Sequence, residues 1–245
     1  GEPFFPGIYR VDFFSQFIKT ALALGYLAVV AISKDPRTLR AATWHEFPLF
    51  LLLSTIGMMM MVSATELLTL YISMELSAYP LYIVVALHRS RAVSSESSTK
   101  YMIQGMVASA ISLYGMSFLF GLLGSTYFDD LTGQLGNLAT QPLFWLSVVL
   151  ILSGFLFKLA VFPFHFWAPD TYQAAPHEAV TFIATASKIA AVALLCRIVA
   201  LTIPTSESLV HTRPVLMWLC IIAMTLGNLA ALRQRDLKRL LGYSA

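Results

Sequence analysis

Charged residues are scarce in this 245-residue chain. Asp, Glu, Lys and Arg make up only 12% of it, about half the share of an ordinary soluble domain. Hydrophobic residues account for 58%, and the mean hydropathy is +0.73. That balance excludes a soluble enzyme, a nucleic-acid binder and a disordered linker. Cysteine is nearly absent as well. Cys196 and Cys220 are too few for an iron–sulfur cluster, which takes four protein ligands, and both read as buried small hydrophobes. No glycine-rich phosphate loop or dinucleotide fingerprint occurs. The chain is therefore expected to bind no nucleotide, redox centre or other cofactor itself.

Long apolar runs fill the space that charge leaves. Seven of them, at 12–33, 47–64, 65–87, 100–124, 143–163, 178–202 and 214–232, have the length of a membrane-crossing helix. The expected fold is all-α: a polytopic transmembrane helix bundle in contact with lipid. If each run crosses once, Lys34, Arg37, Arg40, Arg89, Arg91, Arg233, Arg235, Lys238 and Arg239 all emerge on one side. The opposite side carries Asp129, Asp130, Glu207, Arg213 and Arg10. This asymmetry places the nine cations in the cytoplasm or its organellar equivalent. The expected location is a bacterial inner (plasma) membrane, with an organellar inner membrane as the alternative. Residue 1 is Gly rather than Met, and the final residues open a further apolar stretch, which reads as a fragment of a longer protein.

A charge inside the bilayer costs at least about 2.5–3.5 kcal/mol and marks function by default. Lys19 lies near enough to a helix end to snorkel. Glu66 reads as the acid of a capping box beginning at Ser63. Lys100, at the start of its run, either snorkels or takes part in function. Glu75 is the eleventh residue of its run, about 15 Å from either end, beyond the reach of a short carboxylate. Pro80 follows it and withholds the amide that would bond the Leu76 carbonyl, leaving room for water. Lys158 stands in the same relation to Pro163, which frees the Leu159 carbonyl. The run 143–168 is about 39 Å as one helix, longer than a ~30 Å hydrocarbon core, so a break at Pro163 is expected. Broken helices at this depth line cavities or ion paths. Lys188 is also near mid-bilayer. Desolvation disfavours charge on acid and amine alike, which makes proton exchange among Glu75, Lys158 and Lys188 through internal water inexpensive. Glu75 can neutralise only one lysine, and the surplus amine reads as a relay site. His165 and His177, with Asp170 and Glu178, fit no zinc spacing, so no metal is expected. His165, beside the break, reads as a relay or gating group. The methionines at 58–61 read as packing.

These residues carry a resemblance. The stretch FKLAVFPFHFWAPDTYQ, from Phe157 to Gln173, resembles the broken seventh helix of the antiporter-like subunits of respiratory complex I. YISMELSAYPLY, from Tyr71 to Tyr82, is similar to that family's fifth helix with its glutamate, and Ala186-Ser187-Lys188 to its eighth helix with a bridging lysine. The 170–173 variant is most similar to the family's N-type members. The resemblance implies a proton-translocating membrane-arm subunit of an NADH:quinone oxidoreductase, enzymatic as part of the complex but without its own redox centre. It implies about fourteen spans in two inverted five-helix repeats. Residues 1–245 would then be one membrane domain, with 47–202 the first repeat and 203–245 the truncated start of the second. Glu75 would be the acid at the subunit interface, Lys158 its partner and Lys188 the bridge onward. Lys100 would match a sixth-helix lysine, and His165 the histidine after the break. The family's charged twelfth-helix residue would lie beyond Ala245. Partners would be the other membrane-arm subunits, with protons and internal water as cargo and path, and no nucleic acid. The alternatives are a subunit of a multi-subunit cation/proton antiporter and a structural membrane subunit with no proton path.

Overall fold

In a computed structural model, which describes residues 7–33, 44–87, 92–202 and 206–244, the chain is a succession of helices. In chain order they are α1 (Phe13–Ile32), α2 (Glu46–Ser63), α3 (Leu67–Ala86), α4 (Ala92–Leu123), α5 (Phe128–Leu138), α6 (Pro142–Leu159), α7 (Trp167–Ala174), α8 (His177–Phe182), a π-helical turn (Ile183–Ser187), α9 (Lys188–Thr202), α10 (Ser206–Leu232) and α11 (Leu237–Ser244). No strand occurs among the described residues, only the isolated bridges Tyr9–Ala64 and Glu66–Tyr127.

Six of the seven expected spans are long and apolar enough to cross a membrane: α1, α2, α3, α4, α6 and the run from α8 to α9. The seventh, at 214–232, falls within α10, whose apolar part is the shorter stretch Met217–Leu232. Lys34, Arg37, Arg40, Arg89 and Arg91 lie outside the described residues. Lys100 and Arg239 both reach one carboxylate, that of Asp170, so these two cations share one end of the bundle.

Local chemistry sets the helix ends. Asp12 and Ser15 form a reciprocal capping box at the start of α1, the Ser15 amide donating to Asp12 Oδ1 at 2.7 Å and the Asp12 amide to Ser15 Oγ at 3.0 Å. Gly124 adopts φ +68° and closes α4, a conformation that costs glycine nothing. The box expected at Ser63 and Glu66 does not form. Ser63 is the last residue of α2, so its amide is already used within that helix. The Glu66 carboxylate instead accepts hydrogen bonds from Thr69 and Thr126, both at 2.7 Å.

The core lies where α2, α3, α4, α6 and the run from α8 to α9 meet, around Leu51, Met58, Met61, Leu81, Phe155 and Phe182. Small residues let these helices approach closely, as membrane packing requires. A Cβ on Gly57 of α2 would stand 2.5 Å from the Ser77 amide nitrogen of α3, and one on Gly115 of α4 would stand 2.8 Å from the Ile151 nitrogen of α6. Serines bond across the same contacts: Ser54 Oγ to the Ser77 carbonyl at 2.7 Å and Ser112 Oγ to the Ile151 carbonyl at 3.1 Å. Cys196 and Cys220 depart from expectation, since both are exposed on the bundle. A lipid-facing surface is apolar, so a small hydrophobe needs no protein cover there.

Candidate functional site

α3 runs unbroken through Pro80 and turns Glu75 inward, 8% exposed. The break expected near Pro163 begins at Ala160. There α6 ends in a left-handed residue, φ 56°; the Ala160 amide bonds the Phe157 carbonyl at 3.0 Å and the Val161 amide the Leu156 carbonyl at 2.9 Å. This is a Schellman cap made with alanine. Lys158 lies in the last turn of α6, where the negative end of the helix dipole favours a cation, and is itself only 8% exposed.

Glu75 and Lys158 line one cavity of about 20 Å³, together with Ala78, Tyr82, Tyr101 and Ser187 among others. That volume accommodates one water molecule. The Lys158 amine donates to Ser77 Oγ, whose own hydroxyl donates to the Met74 carbonyl at 2.7 Å. Lys158 is thus held by the residue two positions past Glu75 rather than by the acid itself.

Lys188 is half-buried and does not itself line that cavity, though its neighbour Ser187 does. Its amine donates to the Leu159 carbonyl at 3.4 Å, the group left without an amide partner by Pro163. The Phe157 carbonyl, likewise at the end of α6, accepts from the Trp167 indole at 2.9 Å. The π-helical turn ends on the residue before Lys188, and such turns concentrate at functional sites.

The remaining sequence candidates lie apart from the cavity. Lys100 is exposed and pairs with Glu96 at 2.7 Å, with Asp170 at 3.9 Å. It lies in the N-terminal part of α4. His165 packs against Phe166, ring centroids 4.2 Å apart; its Nδ1 is buried without a hydrogen-bond partner. His177 is exposed, and no three His, Cys, Asp or Glu among the described residues gather as metal ligands would. Lys19 donates to the Tyr9 hydroxyl at 2.6 Å. Sequence reasoning missed Ser77, whose only signal is its place two residues past Glu75. It also missed Arg197, a cation inside an apolar run that is 9% exposed and pairs with Asp12 at 2.6 Å.

An acid and two lysines gathered inside a helical bundle around a helix broken within its span define an integral, multi-pass membrane protein with ionisable groups in its interior. Its family is the NADH:quinone oxidoreductase/Mrp antiporter transmembrane family, whose model matches residues 64–245, and the chain belongs to it. It is 43% identical over 240 residues to NADH-quinone oxidoreductase subunit N 2 of Syntrophobacter fumaroxidans, covering 98% of this chain and 50% of that protein. It is 39% identical to subunit N of Rhodobacter capsulatus over the same shares of the two chains. Among solved structures, a chain of respiratory complex I from Thermus thermophilus is similar with a TM-score of 0.78 at 34% identity, over 99% of this chain and 50% of that one. A chain of the Mrp complex from a Dietzia species shares the fold, with a TM-score of 0.78 at 21% identity over 97% of this chain and 44% of that one. The chain spans about half the length of the curated relatives it matches.

Proposed function

We propose that this chain forms part of a proton-translocating membrane-arm subunit of an NADH:quinone oxidoreductase, resident in a bacterial plasma membrane, and that Glu75, Lys158 and Lys188 are its relay. The observation that carries this reading is the cavity shared by Glu75 and Lys158, with Lys188 bonded to the carbonyl next to Lys158. Family membership and relatives named as subunit N supply the context.

In the relay, Glu75 in its charged form supports the Lys158 ammonium across a single water. When a redox-driven change elsewhere in the complex draws the carboxylate away, the ammonium loses that support. It gives up its proton through water toward Lys188, which the Leu159 carbonyl holds ready. Ser77 keeps the Lys158 amine oriented while this happens. Lys100 and His165, which do not line the cavity, are further candidates whose replacement by Ala the same pumping assay tests. A second reading, a subunit of a cation/proton antiporter, is favoured by the family model itself, which spans both kinds of protein.

The test replaces Glu75 or Lys158 by Ala in the full-length subunit within the assembled complex and measures protons moved per electron in sealed vesicles. Both variants are expected to lower that ratio; full pumping by both sinks the relay. Co-purification with quinone-reducing subunits is the expected outcome against the antiporter reading, and co-purification with small antiporter subunits would reverse the choice.

A further inference from the structure

The resemblance and the relay leave one cluster unexplained: a polar seam between α7 and α11. Arg239 of α11 reaches both Asp170 Oδ1 and Gln173 Oε1 of α7 at 3.2 Å. The Gln173 amide donates back to Asp236 Oδ2 at 3.1 Å. Asp236 Oδ1 in turn accepts the Lys238 amide at 2.8 Å, at the start of α11. The Lys238 amine reaches the carbonyls of Gln173 and Ala175 at 3.5 Å each, at the end of α7. At the far end of the seam the chains touch directly, since a Cβ on Gly242 would stand 2.8 Å from Pro169 Cα.

α7 needs such support. It has 8 residues and no side-chain N-cap, and an isolated helix so short does not hold itself in place. Yet it positions Trp167, whose indole bonds the Phe157 carbonyl beside Lys158 and stacks on Tyr101, a cavity-lining ring, with centroids 4.5 Å apart. Tyr243 of α11 also lies against His165 in the break, 6.5 Å between centroids. The contacts therefore run without a gap from α11 through α7 to the end of α6.

We propose that Asp170, Gln173, Asp236 and Arg239 form a clamp through which α11 sets the position of the broken helix, making Asp170 and Gln173 positioning residues for Lys158. The proposal rests on the relay reading for its functional consequence. The charged groups facing Asp170 are Arg239 on α11 and Lys100 on α4, the latter at 3.9 Å and itself paired with Glu96. Asp170 thus has two cationic partners on different helices. Loss of Arg239 leaves it to Lys100 alone and removes two of the links between α7 and α11.

The test uses the full-length subunit in the assembled complex. Asp170→Asn, Arg239→Gln and the charge-exchanged pair Asp170→Arg with Arg239→Asp are compared by hydrogen exchange across 160–175 and by protons moved per electron. Gln173→Ala, which adds no charge, serves if a charge variant fails to assemble. The single variants are expected to open 160–175 about tenfold more often and to lower the proton ratio, and the exchanged pair is expected to recover part of both. Unchanged exchange in the single variants, or an exchanged pair no better than they are, overturns the clamp. A loosened segment with an undiminished proton ratio overturns its positioning role. Lys158→Ala is run alongside: full pumping by that variant condemns the relay, while the exchange results judge the clamp separately.

Discussion

Gly57→Ala is a one-methyl change outside the cavity that should reach it. The new Cβ would stand 2.5 Å from the Ser77 nitrogen and 2.8 Å from Ser77 Cα, both backbone atoms that no rotamer change can move aside. An ordinary contact needs about 3.5–4 Å, so α3 must withdraw from α2 by about 1 Å. Ser54 Oγ, 2.7 Å from the Ser77 carbonyl, would then lie beyond useful hydrogen-bonding range. Overpacking of this size costs about 1–3 kcal/mol, and the stretched hydrogen bond about 1 kcal/mol more. The consequence for function is larger, because Ser77 is the group that holds the Lys158 amine and Glu75 moves with it. A displacement of about 1 Å among reacting groups costs up to about a hundredfold. Proton movement through this subunit should therefore fall at least about tenfold, and the unfolding midpoint by about 5 °C or more. Sealed vesicles containing the full complex report the first quantity and thermal unfolding in detergent the second. Gly25→Ala is the control, since a Cβ there meets nothing within 4 Å and should leave both readouts unchanged. If Gly57→Ala behaved like that control, the close α2–α3 crossing would not govern the site.

Two further changes probe the site and its frame. Ser77→Ala removes the hydrogen bond made to the Lys158 amine, a charged bond worth about 1.5–3 kcal/mol. Pumping should drop in an assembled complex and return with Ser77→Thr; wild-type pumping by Ser77→Ala would mean that the hydroxyl does not orient the amine. Asp12→Asn leaves the nearly buried Arg197 without its carboxylate and should destabilise the chain by about 1–3 kcal/mol, less than the roughly 3–5 kcal/mol of a fully buried pair because Asp12 is a third exposed. Burial raises the Asp12 carboxyl, but the hydrogen bonds from Ser15 and the charges of Arg197 and Arg10 together outweigh it and hold the group below its ordinary value of 3.8. Its stabilisation is therefore complete at neutral pH and disappears as pH falls below about 3.8 through the folded value. Thermal unfolding of wild type and Asp12→Asn should converge in that acid range; a constant gap between them would contradict the ion pair.

The amino-acid sequence by itself determined that the chain spans a membrane, where its helices lie and which charges are deep. Backbone groups in hydrocarbon must bond within their own helix, so apolar length alone locates α1, α2, α3, α4, α6 and the run through α9. Depth along a helix is a matter of counting residues, which singled out Glu75, Lys158 and Lys188 and the carbonyl that Pro163 frees. What touches what was a tertiary decision. Ser77 and Lys158 are separated by 81 residues in sequence, and Glu66 and Thr126 by 60, and no periodicity links such pairs. Lys100 is exposed and pairs with Glu96 and Asp170 rather than reaching the cavity because the start of α4 lies beside α7. Cys196 and Cys220 face outward because helix rotation, set by packing against neighbours, decides which apolar side is covered. A run that is apolar all round carries no signal for its own rotation, and the bundle supplies what the run lacks.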